Sequence, residues 1–258
     1  MSETRMLNMI DHPGPGSVPL VIAHGLFGSA RNWNVIAKRL SDARRVVAVD
    51  MRNHGDSFHH PDHGYEAMAT DLARVIEHLG GKADLLGHSM GGKAAMVLAL
   101  TRPELLRHLI VADIAPVPYS HTQAHVVEAL RAVDLSMVSR RSDADAQLKS
   151  SLPDAMLRAF LLQSLSLDDG APRWRLNLAA LADQMPRIIG FPEIDARHDG
   201  EMAFLRGGAS DYVSDARLDA LRGYFPKARI LTMEGRGHWL HAEDPRGFEA
   251  MVREVLGT

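Results

Sequence analysis

Asp84-Leu85-Leu86-Gly87-His88-Ser89-Met90-Gly91-Gly92-Lys93 decides how the chain folds. It opens as a short apolar run, passes through Gly-x-Ser-x-Gly, and continues into the helix-forming Lys93-Ala94-Ala95-Met96-Val97-Leu98-Ala99-Leu100. A strand that turns sharply into a helix leaves Ser89 at the tip of the turn, in a strained backbone conformation. Bulk two residues before or after the serine would collide with the neighbouring strand or helix, and Gly87 and Gly91 remove it. The helix expected from Met90 to Leu100 starts at the serine, so its free N–H groups and positive dipole end face any charge that develops there. Gly-x-Ser-x-Gly alone also describes an ordinary tight turn; the strand before it and the helix after it argue for a reactive serine.

The chain on either side repeats the rhythm. Leu20-Val21-Ile22-Ala23 is an apolar run too short for a helix, closed by His24-Gly25-Leu26-Phe27-Gly28, as expected of a central parallel strand. A helix is expected from Trp33 to Leu40 and a strand over Arg45-Val46-Val47-Ala48-Val49-Asp50. The loop Asp50-Met51-Arg52-Asn53-His54-Gly55-Asp56-Ser57 follows. Met68, Leu72, Val75, Ile76 and Leu79 form a helical stripe over Tyr65 to Leu79, ended by Gly80-Gly81. After the serine helix, Leu109-Ile110-Val111-Ala112 is a further strand, ending at Asp113. Alternating β and α units require right-handed crossovers and a mostly parallel central sheet flanked by helices.

From Ile114 to about Pro192 the rhythm breaks, and helical segments are separated by Pro and Ser/Asp clusters. It resumes with Met202-Ala203-Phe204-Leu205, a helix from Asp215 to Tyr224, the strand Ile230-Leu231-Thr232-Met233 and a helix from Pro245. The expected organisation is therefore a core of residues 1–115 and 193–258 carrying an all-helical insertion, 116–192. Set over the strand ends, that insertion would be a lid on Ser89.

Composition narrows the function. At 258 residues, 46% hydrophobic and 24% charged, the chain is long enough for one well-filled globular core. A formal net charge of -3 with scattered basic residues gives no electrostatic case for nucleic acid or an anionic membrane. Absence of cysteine removes disulfides, thiolate metal sites and a cysteine nucleophile. Met1-Ser2-Glu3-Thr4-Arg5 leads into no apolar signal region, and no apolar run is long enough to span a bilayer. The expectation is a cytoplasmic protein. Sequence says nothing of its oligomeric state.

A serine hydroxyl needs a base to take its proton and a group to orient that base. Of the 14 histidines, His238 in Gly235-Arg236-Gly237-His238-Trp239 lies between the last strand and the last helix, where it can fold back over Ser89. Two acids compete to orient it. Asp211 follows the strand that resumes the sheet; Asp113 ends the strand after the serine helix. The bland reading of Asp211 is a turn or cap residue before the helix and that of Asp113 a strand-end aspartate holding loop amides, and spacing does not choose between the two acids. For an oxyanion hole, the N–H of Met90 is one donor and that of Leu26 the expected second, with Phe27 next in line. Phe27, His88 and Trp239 are expected to line the substrate site.

Other features are read as bland. His59-His60-Pro61-Asp62-His63 lacks the helical spacing of a metal site, so no metal is expected. No glycine stretch fits a dinucleotide or Walker loop.

These residues resemble the α/β-hydrolase superfamily over nearly the whole length, in particular the small bacterial esterases of the YbfF type and their mitochondrial ABHD11-like relatives. His24-Gly25 and the serine turn are shared across the superfamily. Arg52-Asn53-His54-Gly55, Gly92-Lys93, Asp113-Ile114-Ala115-Pro116 and Gly207-Gly208-Ala209-Ser210-Asp211-Tyr212 are narrower. In the insertion only Trp174-Arg175-Leu176-Asn177-Leu178 and Gly190-Phe191-Pro192 match clearly. The resemblance implies the α/β-hydrolase fold, a small-molecule ester or thioester substrate, and no cofactor. It also implies Asp113 as the acid, with Asp211 in reserve. Carbon–carbon bond hydrolysis on the same fold, or a catalytically silent binding protein, are the alternatives.

Overall fold

The computed structural model describes residues 5–168 and 170–258. Met1–Thr4, on which part of the signal-peptide expectation rests, lie outside the described residues. In chain order the first half comprises β1 (Met9–His12), β2 (Leu20–Ala23), α1 (Asn34–Leu40), β3 (Val46–Val49), α2 (Tyr65–His78), β4 (Ala83–His88), α3 (Met90–Thr101) and β5 (Leu106–Ala112). Then come α4 (Ala124–Arg131), α5 (Arg141–Leu148), α6 (Ala155–Leu161), β6 (Leu165–Ser166), β7 (Arg173–Trp174), α7 (Leu178–Asp183) and α8 (Met185–Ile189). The chain closes with β8 (Glu201–Gly207), α9 (Leu218–Tyr224), β9 (Arg229–Met233), α10 (Leu240–Glu243) and α11 (Pro245–Leu256).

Seven strands form one sheet in the order β1-β3-β2-β4-β5-β8-β9. β1 pairs antiparallel with β3, and every other pairing is parallel. The unbroken apolar runs follow from burial on both faces. Along β2, Val21 and Ala23 enter the cluster beneath α2 and α3, while Leu20 and Ile22 enter the one beneath α1 and α11. β5 divides in the same way, Leu109 and Val111 to one face, Ile110 and Ala112 to the other. Capping sets the outer elements. The Asp244 carboxylate accepts the Gly247 N–H at 2.9 Å and Pro245 opens α11, as an N-terminal turn favours.

Between β5 and β8 the chain builds a separate apolar cluster around Val126, Leu130, Leu148, Leu161, Leu176 and Leu181. The expectation of a purely helical insertion fails here. β6 and β7 pair antiparallel, Leu165 with Trp174 and Ser166 with Arg173. Two residues a side are too few for an alternating pattern to register in sequence. The helix expected over Asp215 to Tyr224 also divides, into a 3-10 turn, Asp215–Arg217, and α9. Among the described residues no helix is long and apolar enough to cross a membrane.

Candidate active site

Ser89 joins β4 to α3 with φ 51° and ψ −118°, a conformation that non-glycine residues rarely adopt. The close approaches that impose it are measurable. A Cβ on Gly87 would lie 2.4 Å from the Gly91 carbonyl oxygen, and one on Gly91 would lie 2.4 Å from that of Ala23. Only glycine fits at either place. The turn is held by the Ser89 N–H, which donates to the Ala112 carbonyl of β5 at 3.0 Å, and by the Ser89 carbonyl, which accepts the Lys93 N–H at 3.0 Å. α3 thus begins with its free N–H groups at the serine.

The loop from β9 to α10 brings His238 over the turn. Its Nε2 lies 3.0 Å from Ser89 Oγ and its Nδ1 2.7 Å from Asp113 Oδ2. Nδ1 faces a carboxylate and so carries the proton, which leaves Nε2 bare towards the hydroxyl. Three contacts hold the loop and the ring it carries. His88 Nε2–H donates to the His238 carbonyl at 2.9 Å, Glu243 Oε2 accepts the Gly237 N–H at 2.8 Å, and the Tyr212 ring stacks on the imidazole at 3.9 Å between centroids. Burial, with His241 and His238 alongside, drives His88 well below the usual imidazole range, so it stays neutral.

Asp113 is fully buried and stands at φ 50° directly after β5. Besides His238, its carboxylate accepts the Gly207 N–H at 2.9 Å and the Ser210 hydroxyl in a short contact. Three donors satisfy a buried charge that would otherwise be costly. Asp211 is placed elsewhere. It is exposed, its carbonyl accepts from Arg217, and its carboxylate makes no hydrogen bond or ion pair among the described residues. The Gly207–Tyr212 segment still serves the site, through Ser210 on the carboxylate and Tyr212 on the imidazole.

The turn 24–28 after β2 forms the facing wall. Phe27 stands at φ 64° and its N–H is taken by His54 Nε2 at 3.1 Å. The N–H groups of Leu26 and Met90 have no hydrogen-bond partner among the described residues, and both residues line a cavity of about 380 Å³ that opens on Ser89 and His238. Phe27, His88 and Trp239 line it too, although the His88 Nε2–H is already spent on His238. Its roof comes from the segment between β5 and β8, with Leu157, Phe160 and Ile188.

Lys93, which the sequence marks only as a helix residue and part of a family signature, is also on the wall. It is 1% exposed, and Nζ donates to the carbonyls of Ile189 at 3.1 Å and Gly190 at 2.5 Å, tying α3 to the end of α8. Burial, with Arg217 nearby, pushes its ammonium down to about 7. The His59–His63 stretch is split, with His59 and His60 exposed and His63 buried, its Nε2 3.3 Å from the Met90 sulfur. A hydroxyl bonded to an imidazole, itself bonded to a buried carboxylate and faced by free N–H groups, is a geometry suited to nucleophilic acyl transfer.

Comparison with known proteins places the chain in a family. The profile of the Alpha/beta hydrolase family matches residues 20–251. The mouse sn-1-specific diacylglycerol lipase ABHD11 is 42% identical over 260 residues, covering 96% of this chain and 84% of its own. Esterase YbfF of Escherichia coli K12 is 40% identical over 241 residues, covering 92% of each. A solved marine microorganism esterase superposes with a TM-score of 0.92 at 36% identity, covering 98% of this chain and all of its own. The chain belongs to the alpha/beta hydrolase family, and its relatives within it are of the YbfF and ABHD11 kind.

Proposed function

We propose that this chain is a carboxylic-ester hydrolase working through a covalent acyl-enzyme on Ser89. The observation that carries the reading is the continuous line from Asp113 through His238 to Ser89, at 2.7 and 3.0 Å, on the floor of a mainly apolar cavity. Ester hydrolysis is also what the names of the YbfF and marine relatives describe. Ser89 Oγ attacks the ester carbonyl while His238 Nε2 takes its proton. Asp113 keeps Nδ1–H in place and balances the imidazolium that forms. The N–H groups of Met90 and Leu26 bind the developing oxyanion. His238 then gives its proton to the departing alkoxide. Water, deprotonated by the same nitrogen, attacks the acyl-serine and releases the acid, restoring both groups. A thioester would pass through the same steps with a thiolate leaving.

Residues 116–192 act in this reading as a lid whose apolar cluster roofs the cavity. Lys93, bonded to the carbonyls at 189 and 190, is its tether to the serine helix. A cavity of about 380 Å³ suits a small ester. The test is hydrolysis of p-nitrophenyl acetate, butyrate and octanoate by wild type and Ser89→Ala. Turnover by the wild type with loss of about 10⁴-fold or more in kcat for the variant is expected. Turnover that survives Ser89→Ala would overturn the reading.

A further inference from the structure

The loop between β3 and α2 contributes nothing to the line from Asp113 to Ser89, yet it holds an unusual set of buried polar groups. His54 is fully buried. Its Nε2 accepts the Phe27 N–H at 3.1 Å, and its Nδ1 lies 2.9 Å from the Arg52 carbonyl. A carbonyl only accepts, so Nδ1 carries the proton and Nε2 is the bare nitrogen. Desolvation, with His24 and His63 adjacent, holds the ring well below the ordinary imidazole range, which keeps that nitrogen bare at neutral pH.

What His54 grips matters. Phe27 is in the left-handed region, where a bulky residue persists only when its surroundings impose it. With the Phe27 N–H committed, the Leu26 N–H, which has no hydrogen-bond partner among the described residues, is left as a free donor beside it. His24 makes the reciprocal clasp. It belongs to the turn and reaches back, its Nε2 accepting the Met51 N–H at 2.9 Å while Nδ1–H donates to the Gly25 carbonyl at 2.8 Å. His63 carries the same loop to the second donor. Its Nδ1 accepts from Asn53 Nδ2 at 3.1 Å, which turns Nε2–H to the Met90 sulfur. The loop itself is fixed to α2 by Arg52, bidentate on Asp71 at 2.5 and 2.9 Å and bonded to the carbonyls of Asp62 and Ala67.

We infer that His54 is a positioning residue of the oxyanion site: through the Phe27 N–H it holds the left-handed turn that aims the Leu26 N–H at the substrate carbonyl oxygen. This rests on the acyl-transfer reading given above. A merely structural histidine would lower the melting temperature alone. A positioning residue lowers kcat while KM stays, because the donor it aims matters most once charge has moved onto the oxygen.

The experiment compares wild type, His54→Leu, His54→Gln and Ser89→Ala on p-nitrophenyl butyrate, with melting curves and with inhibition by a butyl trifluoromethyl ketone, which forms a tetrahedral adduct. His54→Leu is expected to lose about 10- to 100-fold in kcat with KM within about twofold, and to bind the ketone correspondingly less tightly. His54→Gln, whose amide oxygen can accept the Phe27 N–H, recovers part of both. Full activity and full ketone affinity in a folded His54→Leu would overturn the inference, as would a Gln variant no better than Leu when both melt like wild type. Should His54→Leu not fold, the ¹⁵N spectrum of the wild type decides. An unprotonated Nε2 coupled to the Phe27 nitrogen is expected at pH 7, and a protonated Nε2 sinks the role. Residual activity in Ser89→Ala would instead remove the acyl-transfer reading, whatever His54 does.

Discussion

The floor and the roof of the cavity are built by opposite rules. On the floor, polar groups are committed to fixed partners. Asp113 accepts from three donors, His238 is held on both nitrogens, and His24 and His54 each bridge two loops. The roof presents Leu157, Phe160 and Ile188, side chains held by packing, which has no preferred direction. A directional contact is made or lost, whereas an apolar wall gives way by degrees. Changes to the floor should therefore act on rate almost as a switch, and changes to the roof should act by increments on which ester is preferred.

The largest break in that contrast is Asp113→Asn. It keeps the shape but misdirects the imidazole, and kcat is expected to fall about 10⁴-fold, while Asp211→Asn stays near wild type. Steady-state kinetics on both variants check this, and a comparable loss in the two would return the acid to dispute. Next comes acidification. His63 and His241 are pushed down to about 3 by burial, and His24, His54 and His88 are lowered by the same cause. A folded-state pKa below the unfolded value of about 6.5 means stability is full above pH 6.5 and is lost as pH falls below it. By pH 5, His63 and His241 alone cost about 2 kcal/mol each, at about 1.4 kcal/mol per pH unit. Calorimetry should show the melting temperature falling steeply between pH 6.5 and 5, with a shallower fall in His241→Phe. A flat profile would deny that these rings stay neutral in the fold. The smallest effect belongs to the roof. Phe160→Ala is expected to raise the octanoate-to-acetate ratio of kcat/KM by about tenfold and to change acetate turnover little. An equal loss on all esters would place Phe160 with the floor.

The same contrast decides what the sequence discloses. The sheet shows through because β2 is buried along its whole length and β4 and β5 carry the buried apolar runs Leu85-Leu86 and Leu109-Ile110-Val111-Ala112. Ser89 shows through because close backbone approaches force glycine at 87 and 91. The choice between Asp113 and Asp211 does not. β8 lies beside β5, so both acids leave neighbouring strand ends, and only local backbone direction separates them. β6 and β7 are too short for a pattern, and the roof helices α6, α7 and α8 span seven, six and five residues, within the reach of Pro and Ser punctuation. His54 is legible only as part of Arg52-Asn53-His54-Gly55, because its partner N–H is 27 residues away and belongs to the backbone, which no side-chain pattern records.

The distance along the chain between Ser89 and its base carries a further consequence. His238 comes 149 residues after the serine and sits on a loop held between β9 and α10, the penultimate helix. A chain growing from its N-terminus has the serine turn, the 24–28 turn and Asp113 available long before the imidazole is made. On the proposed mechanism, the protein is therefore an inert scaffold with an unarmed hydroxyl during synthesis. On that mechanism hydrolysis begins only when the last strand has docked at the edge of the sheet, and turnover is expected to report completed folding.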